Sequence, residues 1–191
     1  LDLTLVNFGK WDDLLQRPLP PSDLPYASGV AHYARGVAFA ATGKPAEAQS
    51  ELDVLKQMAA AASADNKPVF EIAMHALMGE LAGRQGQLED AIAHFKAAMR
   101  VEDGILYFEP PTWYYPVRHS LGAVLLTAGR AADAEAVYRE DLKRFPENGW
   151  SLFGLAQALH AQGKHAEAAQ TDARFKKAWT GSDVTLTASR F

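Results

Sequence analysis

The stretch Leu121-Gly122-Ala123-Val124-Leu125-Leu126-Thr127-Ala128-Gly129-Arg130-Ala131-Ala132-Asp133-Ala134-Glu135-Ala136-Val137-Tyr138 decides the fold. An apolar run ends at the turn signal Gly129-Arg130, and in the run that follows Ala134 and Tyr138 stand one helical turn apart on the same face. The same turn recurs at Thr42-Gly43-Lys44, Gln85-Gly86-Gln87 and Gln162-Gly163-Lys164. Gly43, Gly86, Gly129 and Gly163 are separated by 43, 43 and 34 residues, and Gly9 lies 34 before Gly43 in Phe8-Gly9-Lys10-Trp11. Amphipathic stretches on both sides of a turn at that period predict an array of antiparallel helix pairs.

Seven residues before each turn glycine stand Gly36, Gly79, Gly122 and Ala156, and five after it stand Ala48, Ala91, Ala134 and Ala168. A glycine inside a helix costs about 1 kcal/mol relative to alanine, so its recurrence points to close helix approach. Leu52, Phe95 and Tyr138 follow four residues later as the large partners of these small positions, with Asp172 the charged exception. Composition agrees: 35 alanines against 10 valines and 3 isoleucines favour helix and leave little material for a sheet.

This small-large pattern, from Leu121-Gly122 through Gly129, Ala134 and Tyr138 to Pro146, resembles a tetratricopeptide repeat, and the resemblance spans roughly residues 29 to 180. It implies an all-α, TPR-like α-solenoid of about four repeats with a leading half repeat. Helices are expected at 11–17, 26–42, 45–62, 67–85, 88–102, 114–128, 131–144, 148–162 and 165–180. The expected organisation is one domain over 1–180, made of a partial leading repeat at 1–28, repeats at 29–62, 72–105, 115–148 and 149–182, and a non-helical tail at 183–191 that docks or frays. Leu1 to Phe8 offers too little chain for a full first helix, so the chain reads as starting inside a longer array, as the C-terminal part of a larger bacterial-type TPR protein.

The 191 residues carry a net charge of −4 from 19 basic and 23 acidic side chains with no block of either sign, so nucleic acid and anionic membranes are not expected partners. Apolar runs such as Met58 to Ala62 are far too short to span a bilayer. There is no cysteine, hence no thiolate nucleophile or disulfide. The chain opens on Leu1 rather than methionine, which leaves the compartment open, with cytoplasm favoured over periplasm.

No catalytic motif survives inspection. Gly43-Lys44 and Gly163-Lys164 resemble the end of a phosphate loop, but Ala38 and Ala158 stand where its first glycine is required. The acidic pairs Asp12-Asp13, Glu89-Asp90 and Glu140-Asp141 are expected on solvated helix faces. The expectation is a non-enzymatic chain with no cofactor and no metal. His32, His75 and Arg118 share one repeat position and form a polar ladder, either hydrogen-bonded to neighbouring carboxylates or backbone, or binding an anion; helices about 8–10 Å apart are too distant for three such ligands to share a metal. His160 and His165 flank a turn and carry no metal expectation either.

Aromatics are the stronger functional signal. Tyr107, Phe108, Trp113, Tyr114, Tyr115, Trp150 and Phe153 crowd into 47 residues. By the resemblance, first helices line a concave groove, which places Trp150, Phe153, His119, Arg118, Gln157 and His160 there, framed by Trp113 and Tyr114. The plainer alternative is that the loop from Gly104 to Trp113 buries its own rings. The lysine and asparagine clamp that some TPR domains close on a carboxylate terminus is absent: Val30, Tyr33, Ala73, Ala76, Glu80, Pro116, His119, Trp150 and Phe153 occupy its positions. The leading reading is a protein or peptide interaction module. A small-ligand or substrate-binding domain of a larger enzyme system and a structural unit that forms a homo-oligomer are the alternatives.

Overall fold

The structure is a computed structural model that describes residues 1–105 and 113–190. Among these residues there are helices and no strands. In chain order they are α1 (Asp2–Asn7), α2 (Trp11–Leu15), α3 (Pro25–Ala41), α4 (Pro45–Ala61), α5 (Lys67–Arg84), α6 (Leu88–Gly104), α7 (Val117–Thr127), α8 (Ala131–Arg144), α9 (Gly149–Ala161) and α10 (His165–Ala178). The fold class is the all-α array of antiparallel helix pairs that the turn spacing called for, the TPR-like solenoid that the resemblance implies.

Five turns share one piece of local chemistry. Gly9, Gly43, Gly86, Gly129 and Gly163 have φ between +62° and +78°, a region that only glycine enters without steric cost. The residue after each donates its N–H five residues back at 2.8–3.0 Å: Lys10 to Leu5, Lys44 to Phe39, Gln87 to Ala82, Arg130 to Leu125 and Lys164 to Leu159. These bonds satisfy carbonyls that a helix end would otherwise orphan. Each of these residues also immediately precedes the next helix, so one position ends one helix and starts its partner.

The chain forms two compact units, Leu1–Tyr115 and Pro116–Phe191. In the first, α3 packs on α4 and α5, α5 packs on α6, and the short α1 and α2 pack on each other and on α3. Val37, Ala48, Leu55, Leu77, Ala91 and Phe95 are at most 1 % exposed in its core. Gly79 meets the ring of Phe95, as the small-large pattern requires. Gly36 instead meets Leu77 of α5, and Leu52 of α4 is buried.

In the second unit α7, α8 and α9 pack mutually and α10 packs on α9. A Cβ built on either Gly122 of α7 or Gly154 of α9 would strike the Tyr138 ring well inside contact distance. The ring therefore passes between two backbones that only glycine leaves open, and it is fully buried.

Differences from the expected elements are local. The helix expected from residue 114 starts at Val117, because Pro116 holds ψ at 127° and Tyr115, as the residue before a proline, is disfavoured in helix. Residues 2–7 do form a helix, the shortened partner of α2. The last helix ends at Ala178 instead of continuing to 180. No helix among the described residues is long and apolar enough to cross a membrane.

Candidate functional site

In the second unit, Trp150, Phe153, Gln157 and His160 recur along α9 at helical spacing. Asn148 sets the start of that helix: its side-chain oxygen accepts from the N–H of Trp150 at 3.0 Å and of Ser151 at 3.3 Å. Trp150 meets Trp179 edge-on with centroids 5.6 Å apart, Phe153 meets Phe175 at 5.3 Å, and Phe175 stacks on Trp179 at 5.7 Å. Gly149 leaves room for the Trp179 ring, which a Cβ would strike. All four rings are half-buried, so each is fixed by its neighbours and still offers an edge or face to solvent. Gln157 is half-buried, and the exposed His160 holds Asp172 at 2.9 Å. Asp172 thus has a partner in the position that departs from the repeat pattern.

Arg118 and His119 lie elsewhere in this unit, 5 % and 2 % exposed. His119 Nε2 is 3.3 Å from Asp141 Oδ2, and Ser151 Oγ donates to the same oxygen at 2.5 Å. Asp141 is 0 % exposed, which corrects the expectation that the Glu140-Asp141 pair lies on a solvated face. The missed signal is spacing: Asp141 follows Ala134 by seven and Tyr138 by three residues, on the buried stripe of α8. Serine, histidine and aspartate meet here without forming a nucleophile. The carboxylate stands between the other two, so Ser151 gives its proton to Asp141 and no imidazole is placed to activate it. Among the described residues, Asp141 Oδ1 has no hydrogen-bond partner.

In the first unit, Trp113 and Tyr114 belong to a buried aromatic cluster. Trp113 is 6 % exposed and packs edge-on against Tyr33 of α3 at 5.1 Å; Tyr114 lies 5.4 Å from Trp113 and 4.6 Å from Tyr115. Burial pushes the Tyr33 and Tyr114 phenols well above the usual range, and nearby Tyr115 and Glu80 push the same way. Among the described residues, Tyr114 Oη and Trp113 Nε1 are buried polar atoms without a hydrogen-bond partner. Tyr107 and Phe108 lie outside the described residues.

The polar positions of α3 and α5 resolve into pairs. His32 Nδ1 is 2.6 Å from Glu51 Oε2, and Arg35 Nε donates to Glu51 Oε1 at 2.9 Å. Burial opposes ionisation of Glu51, but these two partners outweigh it and hold its carboxyl below the usual value. His75 faces His94, with ring nitrogens 3.3 Å apart, and burial together with that neighbour depresses its proton affinity. Among the described residues no group of histidines and carboxylates is placed to hold a metal ion.

Two family models match the chain, both described as tetratricopeptide repeat, one over residues 120–183 and one over residues 29–53. No curated protein and no solved structure matches it. The matches fall one in each compact unit and cover the turns at Gly129, Gly163 and Gly43, whose geometry recurs at Gly86. With the same glycine turn at each pair and small residues where rings and leucines enter, the chain carries tetratricopeptide repeats in both units.

Proposed function

We propose that this chain is a non-enzymatic protein or peptide interaction module whose contact stripe in the second unit is Trp150, Phe153, Gln157 and His160 on α9. Tetratricopeptide repeats generally mediate protein–protein interaction and are typically non-catalytic, which supports the class of function. The observation that carries the specific reading is the half-buried state of Trp150 and Phe153, braced from behind by Trp179 and Phe175. Rings held in place lose little freedom on binding and supply large contact area, which is what interface hot spots use. Arg118 and His119 are buried in α7 of the same unit, and Trp113 and Tyr114 pack on each other in the first unit.

Affinity capture with the full chain and with Trp150→Ala and Phe153→Ala variants tests the reading. Each truncation should weaken binding to a captured partner by about thirtyfold, the equivalent of about 2 kcal/mol. Variants that keep their helical circular dichroism and bind normally would move the contact surface elsewhere.

A further inference from the structure

Beyond α10 the chain turns at Gly181, where φ is +84°, runs on without helix over 182–186 and bends over 187–189. Val184, Leu186 and Ala188 are half-buried, whereas Asp183, Thr185 and Thr187 are exposed. Before the bend, that alternation of period two fits an extended peptide lying on a surface, and the bend then carries Ser189 inward. The segment is fixed at both ends. Trp179 Nε1 donates to the Val184 carbonyl at 2.6 Å, and Ser189, only 1 % exposed, is held by two groups from α7 and α8.

Ser189 Oγ donates to the His119 carbonyl at 2.9 Å and lies 2.6 Å from Tyr138 Oη. A carbonyl can only accept, so the serine proton goes to His119 and Tyr138 supplies the proton of the second bond. Burial holds the Tyr138 phenol in that neutral, proton-bearing form. Its hydroxyl reaches the tail because the ring passes between Gly122 and Gly154. One donor and one acceptor thus converge on a single small hydroxyl, and a serine there satisfies both.

We propose that this surface of the second unit is a seat for an extended peptide that reads a serine, and that residues 183–190 occupy it as a built-in competitor. The partner it fits is an extended segment with small or aliphatic residues at alternate positions leading to serine, the pattern of Val184, Leu186, Ala188 and Ser189. This deepens the interaction-module reading and rests on it. Tethering places the tail at an effective concentration on the order of millimolar, so a free segment of the same pattern competes poorly until the tail is released.

The test uses the full chain and a fluorescein-labelled peptide of residues 183–190. Ser189→Asp puts a carboxylate against the His119 carbonyl and should release the tail; Ser189→Ala removes both hydrogen bonds more gently. Both variants should show faster amide exchange across 184–189 and bind the peptide at least tenfold more tightly than the unaltered chain. Adding Tyr138→Phe to either, or replacing the peptide's serine with alanine, should cancel that gain. Unchanged tail exchange in both variants, or released tails without improved peptide binding, would overturn the proposal. So would a concentration-dependent dimer of the unaltered chain that Ser189→Ala abolishes, since the seat would then take a second copy's tail. Partner capture through Trp150 and Phe153 does not require Ser189, so failure of this seat and failure of the interaction stripe are separately visible.

Discussion

Gly122 and Gly154 admit the Tyr138 ring because neither carries a Cβ, and the hydroxyl at the ring's tip then meets Ser189. The glycine before the turn was legible as a close-approach position; its pairing with a second glycine 32 residues later was not, because Gly154 breaks the repeat spacing. Asp141 shows the opposite failure. Its neighbour Glu140 lies outside the core, and adjacency in sequence hid the fact that successive helix positions point about 100° apart. Asp141→Ala strips the acceptor from buried His119 and Ser151 and should cost about 2–3 kcal/mol in urea unfolding. Glu140→Ala should stay within about 0.5 kcal/mol. Similar losses at both positions would mean that the carboxylate at 141 is not the buried acceptor.

Helix limits were readable to within a few residues because each first helix stops on a local signal, a glycine in the left-handed region, that needs no tertiary help. The start of α7 was misjudged where a proline competed with an aromatic-rich stretch that looked helical. What ties elements together at the surface was not readable, since it depends on which long side chains converge. Glu135 of α8 accepts from Lys164 at 2.7 Å, Arg139 at 2.8 Å and Gln162 at 2.7 Å, joining its helix to the turn after α9. Burial opposes this charge, but the three donors outweigh it and bring the Glu135 carboxyl from 4.5 down to about 2. Its contribution is therefore present above the ordinary carboxylate range and is lost as the pH falls through about 2. Lys164 and Arg139 are 41 % and 44 % exposed, so solvent screening limits the effect to roughly 1 kcal/mol. The stability difference between the unaltered chain and Glu135→Gln should be of that size at pH 6 and shrink toward zero as pH approaches 2, which urea titrations across that range would reveal. A difference that does not vary with pH would exclude the charge as its cause.

At the scale of the whole molecule, stability in a repeat array is a sum over neighbours, so protection should follow how much of each helix its neighbours bury. Hydrogen exchange should be slowest in α3, α5, α7 and α9, whose Val37, Leu77, Val124 and Leu155 are at most 2 % exposed, and fastest in α1, α2 and α10. Uniform protection along the chain would contradict a nearest-neighbour architecture. The repeat itself was visible because its period is written in glycines; the docked tail was not, because Ser189 shares no period with the array and finds its partners only after three helices are in place. That separation has a kinetic consequence. Each of the five glycine turns closes a bond across five residues, whereas Ser189 reaches His119 across 70. Helix pairs can therefore form early and independently, on the fast timescale of local contacts. Tail docking must come last in the second unit, because the hydroxyl it seeks emerges only when α7, α8 and α9 have closed around the Tyr138 ring. The ordering of Ser189 then acts as a timestamp, recording the moment at which this unit has finished folding.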